Sequence, residues 1–279
     1  MPELPEVEAA RVLARRVATG RRIARVWCAG DPIVFEDLLP RTFRQALLGR
    51  RVLGVGRHGK HLWLELDRRP WPCFHFGMTG GFHAPRARGV RLVSSGSREA
   101  SQAWPPRFTK LHLSFDDGGE LVMSDARRLG RIRLRMDPRA EPPISDLGFD
   151  ALLGLPSPAR FADLLAQRAA PMKAVLLDQS FAAGVGNWIA DEVLYQARIA
   201  PRRPARSLSR DEARRVRRAL RAVIVTAVAA RADSDRFPRT WLFHHRWGRD
   251  ADAVTARGEK IRHETIGGRT SAWVPAVQR

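Results

Sequence analysis

The sequence predicts an α+β protein, with an N-terminal helix and an antiparallel β-sandwich followed by a helical domain and a C-terminal segment without helical period. Three observations predict it. Residues 3–17 carry charges of the right sign for both ends of a helix. Between residues 22 and 135, short alternating or apolar runs recur with turn residues between them. From Ile144 the apolar spacing turns helical, just after the proline-bearing stretch 137–143, DPRAEPP.

The first helix has Pro5 in its first turn, where a missing N–H is harmless. Glu3, Glu6 and Glu8 load its start, Arg11, Arg15 and Arg16 its end, and Gly20 stops it. Strands are expected at 22–28, 51–55, 61–66, 73–76, 110–115, 120–123 and 131–135. The Arg/Ser/Gly-rich stretch 85–106 reads as a long loop. Helices are expected at 158–167, 171–179, 187–196 and 209–230. The last opens on Ser209 as N-cap, with Glu212 three residues on to complete a capping box. The domain divisions that follow are 1–136, a linker at 137–147, a helical domain at 148–235 and a terminal segment at 236–279.

Charge bounds the partner. The 279 residues hold 49 Lys+Arg against 29 Asp+Glu, a formal +20. A surplus of that size speaks to polyanions and not to fold, and nucleic acid is the commonest of them, because neutralised phosphates release condensed counterions. Most of the cations are arginine, which forks onto phosphate and stacks on bases; a GC-rich genome accounts for part of the excess. The two cysteines, Cys28 and Cys73, make neither a disulfide framework nor a four-thiolate metal site. No signal peptide and no membrane-length apolar run is visible, so a cytoplasmic protein without membrane association is expected.

Two features carry chemistry. Pro2 becomes a free secondary amine once Met1 is removed, with a pKa of about 7.7–8.0. Such an amine attacks a carbon of carbonyl character to give an iminium, and Glu3 beside it is placed to shuttle protons. Taken alone, a Met-Pro-Glu start is unremarkable. The second feature is 176–201, LLDQSFAAGVGNWIADEVLYQARIAP, a helix, a glycine-rich turn and a helix. Gly184 and Gly186 permit a tight turn and Asn187 stands at the N-cap position. A helix start approached through glycines is a ready anion site, here for a DNA phosphate.

Together, MPELPEVE and DQ…AGVGNW…DE…ARI…P resemble the formamidopyrimidine-DNA glycosylase family, the second block being similar to its helix–two-turn–helix motif. Further resemblances follow in order: HGK at 58–60, FGMTG at 76–80, DARRLG at 125–130 and GGRT at 267–270. They span nearly the whole chain. The resemblance implies Pro2 as nucleophile, Glu3 as acid/base partner and Lys60 at the damaged nucleotide's phosphate or assisting catalysis. It implies Lys173 and Asn187 on backbone phosphates, and Met78, Arg127 and Leu129 filling the space of an everted base. Leu129 stands where the family usually has Phe. Arg269, at the tip of a C-terminal β-hairpin finger, would clamp the flanking phosphate and support elimination.

Many members of the family close that finger with zinc on two Cys pairs. Alignment on GGRTSAWVPAVQ puts the four positions at Val254, Arg257, Val274 and Val277, none of them a ligand, and His244, His245 and His263 are scattered. No metal and no cofactor is therefore expected, with Trp273, Val274, Val277 and Ile261 packing the finger instead. In this the chain resembles the plant and fungal subgroup with a zincless finger. The implied activity is base excision from oxidised duplex DNA, by a monomer acting on lesions or abasic sites. The short run from Ala230 to WLFHHR leaves little room for the loop that caps 8-oxoguanine in bacterial relatives. The competing reading is a non-catalytic damaged-DNA-binding protein, against which the intact Pro2 and Glu3 weigh.

Overall fold

A computed structural model describes residues 2–85, 103–248 and 252–279. The chain divides into two compact units, Met1–Asp146 and Leu147–Arg279. The expected loop at 85–106 lies largely outside the described residues.

In the first unit the order is α1 (Leu4–Ala18), β1 (Ile23–Cys28), α2 (Pro32–Phe35), α3 (Pro40–Leu47), β2 (Val52–His58), β3 (His61–Leu66), β4 (Trp71–His75), β5 (Gly81–His83), β6 (Thr109–Phe115), β7 (Glu120–Ser124) and β8 (Arg131–Arg135). The strands form two four-stranded antiparallel sheets, ordered β1-β6-β7-β5 and β2-β3-β4-β8. Alternation places Leu111, Leu113 and Phe115 of one sheet and Leu62, Leu64 and Leu66 of the other in a common core. Helix α1 adds Val7, Ala10, Ala14 and Ala18, at helical spacing, to the same core. It touches β2 and β3 of one sheet and β5 and β7 of the other, so the helix is held by both layers.

Three elements of this unit escaped the sequence reading. Helices α2 and α3 are a single turn and two turns long, below the length at which apolar spacing reveals a helix. Strand β5 is three residues long and follows directly on a turn. Strand β2 also runs three residues beyond its expected end, to His58, while Phe76 leaves β4 for a turn.

The second unit runs β9 (Phe149–Asp150), α4 (Pro158–Ala166), α5 (Met172–Leu177), β10 (Ala182–Ala183), α6 (Asn187–Ala197), α7 (Arg210–Ala229), β11 (Arg262–Ile266) and β12 (Arg269–Trp273). Helix α7 opens on the expected capping box: Ser209 Oγ accepts from Glu212 N–H at 3.2 Å and Glu212 accepts from Ser209 N–H at 2.8 Å. Its buried face, Val216, Leu220, Val223, Ile224 and Ala227, packs on α4 and α6. Helix α5 is shorter than expected because Asp178 is extended and ends it. The terminal hairpin pairs β11 with β12 through Gly267 and Gly268, at φ +59° and +71°. Two successive positive φ angles are what a tight two-residue hairpin turn requires and glycine supplies without strain. No described helix is long and apolar enough to cross a membrane.

Candidate active site and nucleic-acid interface

In the first unit Pro2 is buried and leads into Glu3, the N-cap of α1, which is 3% exposed. The Glu3 N–H donates to the Glu6 carboxylate at 3.0 Å. Burial, and after it the charge of Glu3, pushes the Glu6 carboxyl up to about 7. The Glu6 carboxyl thus holds the backbone of the residue that follows the candidate nucleophile, and Glu6 was read from sequence only as a helix-end charge.

Lys60 follows Gly59 in the two-residue turn between β2 and β3, and it is 9% exposed. The buried Arg57 fixes that turn: it donates to Gly59 C=O at 3.0 Å and to Glu8 of α1 at 2.8 Å. Glu8 also pairs with Arg11 at 2.7 Å. Burial raises the Glu8 carboxyl, but hydrogen bonds from Arg11 and Arg57 outweigh it and hold the group below the usual carboxylate range. The helix that starts at Glu3 and the turn that carries Lys60 are thus joined through one buried ion pair. Register aligns His58, His61, His75 and Arg131 across the end of this sheet. The His61 and His75 rings lie 4.8 Å apart. Burial, then neighbouring cations, depresses them to about 3 and about 4, so both are neutral imidazoles near pH 7.

The two segments carrying Met78 and Arg127–Leu129 are brought together. Asp125, fully buried, accepts from the Thr79 hydroxyl at 2.9 Å, from Arg127 N–H at 3.2 Å and from Gly130 N–H at 2.7 Å. Gly77, at φ +60°, lies so close to the Leu129 backbone that a Cβ there would sit 2.3 Å from its carbonyl carbon. Arg128, at φ +56°, is forked onto Asp31, whose carboxyl Lys110 also meets at 2.8 Å. Burial opposes that charge, but the Arg128 and Lys110 contacts pull Asp31 well below the usual range. The result presents Arg127 and Leu129 outward, Leu129 at 40% exposure, with Met78 half-buried.

In the second unit Gly186 is the N-cap of α6 and Asn187 its first helical residue, one position later than expected. Gln179 braces the glycine-rich turn: its Nε2 donates to Val185 C=O at 2.9 Å and its Oε1 accepts from Gly184 N–H at 3.1 Å. Asn187 Nδ2 donates to Thr270 C=O at 3.0 Å, beside the exposed Arg269 at the hairpin tip. Asn187 and Arg269 are therefore neighbours. Lys173 is fully buried, with Nζ donating to Asn187 C=O at 2.9 Å and paired with Asp191.

The finger is packed by Leu242, Ile261, Ala272 and Val274, with Val277 against them, while Trp273 is half-buried. Its two turns are closed by side-chain hydrogen bonds. Thr255 Oγ1 donates to Glu259 at 2.8 Å and accepts from Arg257 N–H at 3.2 Å, and the Tyr195 hydroxyl meets the same Glu259 carboxyl at 3.0 Å. Gln278 accepts from Val274 N–H at 2.7 Å and donates to Ile199 C=O at 2.9 Å. Among the described residues no group of three or more His, Cys, Asp or Glu could hold a metal ion.

Comparison with known proteins settles the family. Residues 1–132 match the formamidopyrimidine-DNA glycosylase N-terminal domain and residues 147–238 the formamidopyrimidine-DNA glycosylase H2TH domain. A formamidopyrimidine-DNA glycosylase of Arabidopsis thaliana is 42% identical over 279 residues, 100% of this chain and 71% of that protein. One from Thermus thermophilus is 36% identical, over 100% of this chain and 98% of its own. The chain belongs to the formamidopyrimidine-DNA glycosylase family. The crystal structure of a Thermus thermophilus enzyme of the family overlays with a TM-score of 0.76 at 34% identity, covering 99% of this chain and 98% of that one. The Lactococcus lactis enzyme, bound to DNA containing an abasic site, shares the fold at a TM-score of 0.81 and 21% identity, over 99% of each chain. Sequence reasoning missed the residues that hold this glycosylase-family site together: Asp31, Arg57, Asp125, Asp191 and Thr255. Each is an ordinary polar residue until the fold shows which donors or acceptors it meets.

Proposed function

We propose that this chain is a bifunctional DNA glycosylase and abasic-site lyase of base excision repair, with Pro2 as the nucleophile. One observation carries the reading. Pro2 leads directly into the buried Glu3 cap, in a chain that belongs from end to end to a family named for this activity.

A base stacked in a duplex is out of reach of a protein N-terminus, so the nucleotide must be everted. Met78, Arg127 and Leu129 are the residues proposed to occupy the vacated space; the exposure of the last two and the Asp125 brace beneath them support this. Asn187 and Arg269 are proposed to hold backbone phosphates, and Lys60 the phosphate or the reacting sugar. Once Met1 is removed, the Pro2 nitrogen lone pair forms a bond to C1′, and the glycosidic electron pair leaves with the base, which takes up a proton. The nitrogen gives up its N–H proton and then closes C=N⁺ as the C1′–O4′ bond opens and O4′ takes a proton. Loss of a C2′ proton expels the 3′ phosphate, and a second elimination expels the 5′ phosphate. The iminium is hydrolysed to free the amine, leaving a one-nucleotide gap. Glu3 is proposed as the group that moves these protons.

The proposed substrates are formamidopyrimidines, further-oxidised guanine lesions and abasic sites, with oxidised pyrimidines as a further class and 8-oxoguanine a poor one. Support comes from the segment after α7. It folds into short 3₁₀ turns at Ser234–Arg236 and Leu242–His244, with Phe237, Trp241 and Phe243 buried around Trp188. A packed aromatic cluster of this kind has no long loop to lay over a base. The reaction assigns the protein to the compartment that holds the genome.

Borohydride trapping tests the reading. Protein shown by mass spectrometry to lack Met1 is expected to form a covalent adduct with abasic-site duplex. Absence of an adduct under those conditions leaves only the non-catalytic binder.

A further inference from the structure

Asn187 and Arg269 come from elements 82 residues apart in the chain, and a buried charge cluster joins them. At its centre is Asp191 of α6, 1% exposed. Its Oδ1 pairs with Lys173 of α5. Its Oδ2 accepts from Arg246 at 2.6 and 3.1 Å and from the Ala272 N–H of β12 at 3.1 Å. Lys173 also donates to the Asn187 carbonyl, and Asn187 reaches across to Thr270. The loop closes: α5, the first turn of α6, the segment at Arg246 and the finger hairpin all bond to one carboxylate or to its immediate partner. On the hairpin's other side a Cβ at Gly267 would meet Ala174 Cβ at 3.1 Å, so α5 also limits where the tip can sit.

Such a cluster is a poor device for stability alone. Desolvating three charges is costly, and apolar replacement of buried ion pairs is often neutral or stabilising. What it supplies is direction, since each oxygen of Asp191 is committed to partners on different elements and a shift of one is felt by all.

Resting on the reading of Asn187 and Arg269 as phosphate contacts, we infer that Asp191, bridged by Lys173 and Arg246, is a positioning residue that sets the spacing of Asn187 and Arg269 on the DNA backbone. Lys173 acts through Asp191 and Asn187 and makes no phosphate contact. Asp191 touches no reacting atom, so its loss falls on DNA affinity more than on the chemical step.

The test uses the full chain and a duplex carrying a tetrahydrofuran abasic analogue. Asp191→Asn keeps size and drops the charge; Arg246→Lys keeps the charge and drops the fork. Asp191→Asn is expected to weaken Kd about ten-fold or more at moderate salt. The slope of log K against log salt should lose about 0.9, one phosphate contact. The single-turnover rate at saturating DNA should fall less than the affinity does. Arg246→Lys is expected to give a smaller shift of the same kind, and it decides the matter should Asp191→Asn not fold. In a double-mutant cycle, Asp191→Asn added to Arg269→Ala should cost less than two-fold further, because the first acts through the second. A merely structural role would lower the melting temperature and leave the salt slope unchanged. Wild-type affinity and slope in a folded Asp191→Asn or Arg246→Lys protein overturn the inference, as does full additivity with Arg269→Ala. Wild-type protein that traps no abasic DNA refutes the glycosylase reading itself, a separable result.

Discussion

The Thr79 hydroxyl donates to the buried carboxylate of Asp125 at 2.9 Å, and through that bond the turn carrying Met78 is tied to the turn carrying Arg127 and Leu129. The same carboxylate takes the backbone N–H groups of Arg127 and Gly130. Asp125→Ala leaves all three donors without this acceptor. At about 1 kcal/mol or more for each buried unmet donor, the loss of stability is expected to be about 2–4 kcal/mol in urea melts. The folded fraction should also lose preference for abasic over undamaged duplex, since both void-filling segments lose their brace. Equal preference in mutant and wild type would show that the brace is irrelevant to damage binding.

Leu129 is 40% exposed and offers an edge where an aromatic ring would offer a face. Leu129→Phe places a ring at the site proposed to fill the space of an everted base. Stacking of a base on an aromatic side chain contributes about 1–3 kcal/mol, so binding to abasic-analogue duplex is expected to tighten at least five-fold with little change in stability. Fluorescence anisotropy measures the first and thermal melting the second.

What could be read in advance, and what could not, divides along a physical line. Helix α1, the long strands and α7 declare themselves through period and end charge, because local sequence alone decides them. The glycine turn before Asn187 was legible for the same reason, as a contiguous feature, whereas the Pro2–Glu3 start is unremarkable by itself and took its reading from the family resemblance. Lys173 took its phosphate role from the resemblance alone, and only the fold reveals Asp191, 18 residues on, as its partner. Thr255 and Gln278, which close the two turns of the finger, were invisible for that reason as well. A hydroxyl or an amide becomes structural only when chain folding puts unmet donors within its reach.

The Glu6 carboxyl is held at about 7 against 4.5 in an unfolded chain, by burial and then by Glu3. Folding therefore favours its protonated form. The associated stability is fully present below pH 4.5 and is lost as pH rises through 7. Glu6→Gln removes this dependence while keeping an oxygen to accept the Glu3 N–H. The melting temperature of Glu6→Gln is expected to exceed that of wild type by a margin that widens from about pH 5 to about pH 8. A margin constant with pH would falsify the assignment of the raised carboxyl to Glu6.

The first turn of the finger is held by Thr255, which is 3% exposed. Its hydroxyl donates to Glu259 at 2.8 Å and accepts from Arg257 and Glu259 N–H groups at 3.2 and 3.3 Å. Thr255→Val keeps the shape and removes all three bonds. A cost of about 1–2 kcal/mol is expected, because the part-buried N–H groups of Arg257 and Glu259 lose their acceptor. The same turn packs through Glu259 against Tyr195 of α6, the helix whose first residue holds the strand that begins with Arg269. DNA affinity should therefore fall along with stability in Thr255→Val. Treatment with a strong chelator, or addition of zinc, should change neither the melting temperature nor the trapping yield of the wild-type protein. A chelator-induced loss of trapping would place a metal in the finger after all and reassign Thr255 to a secondary role.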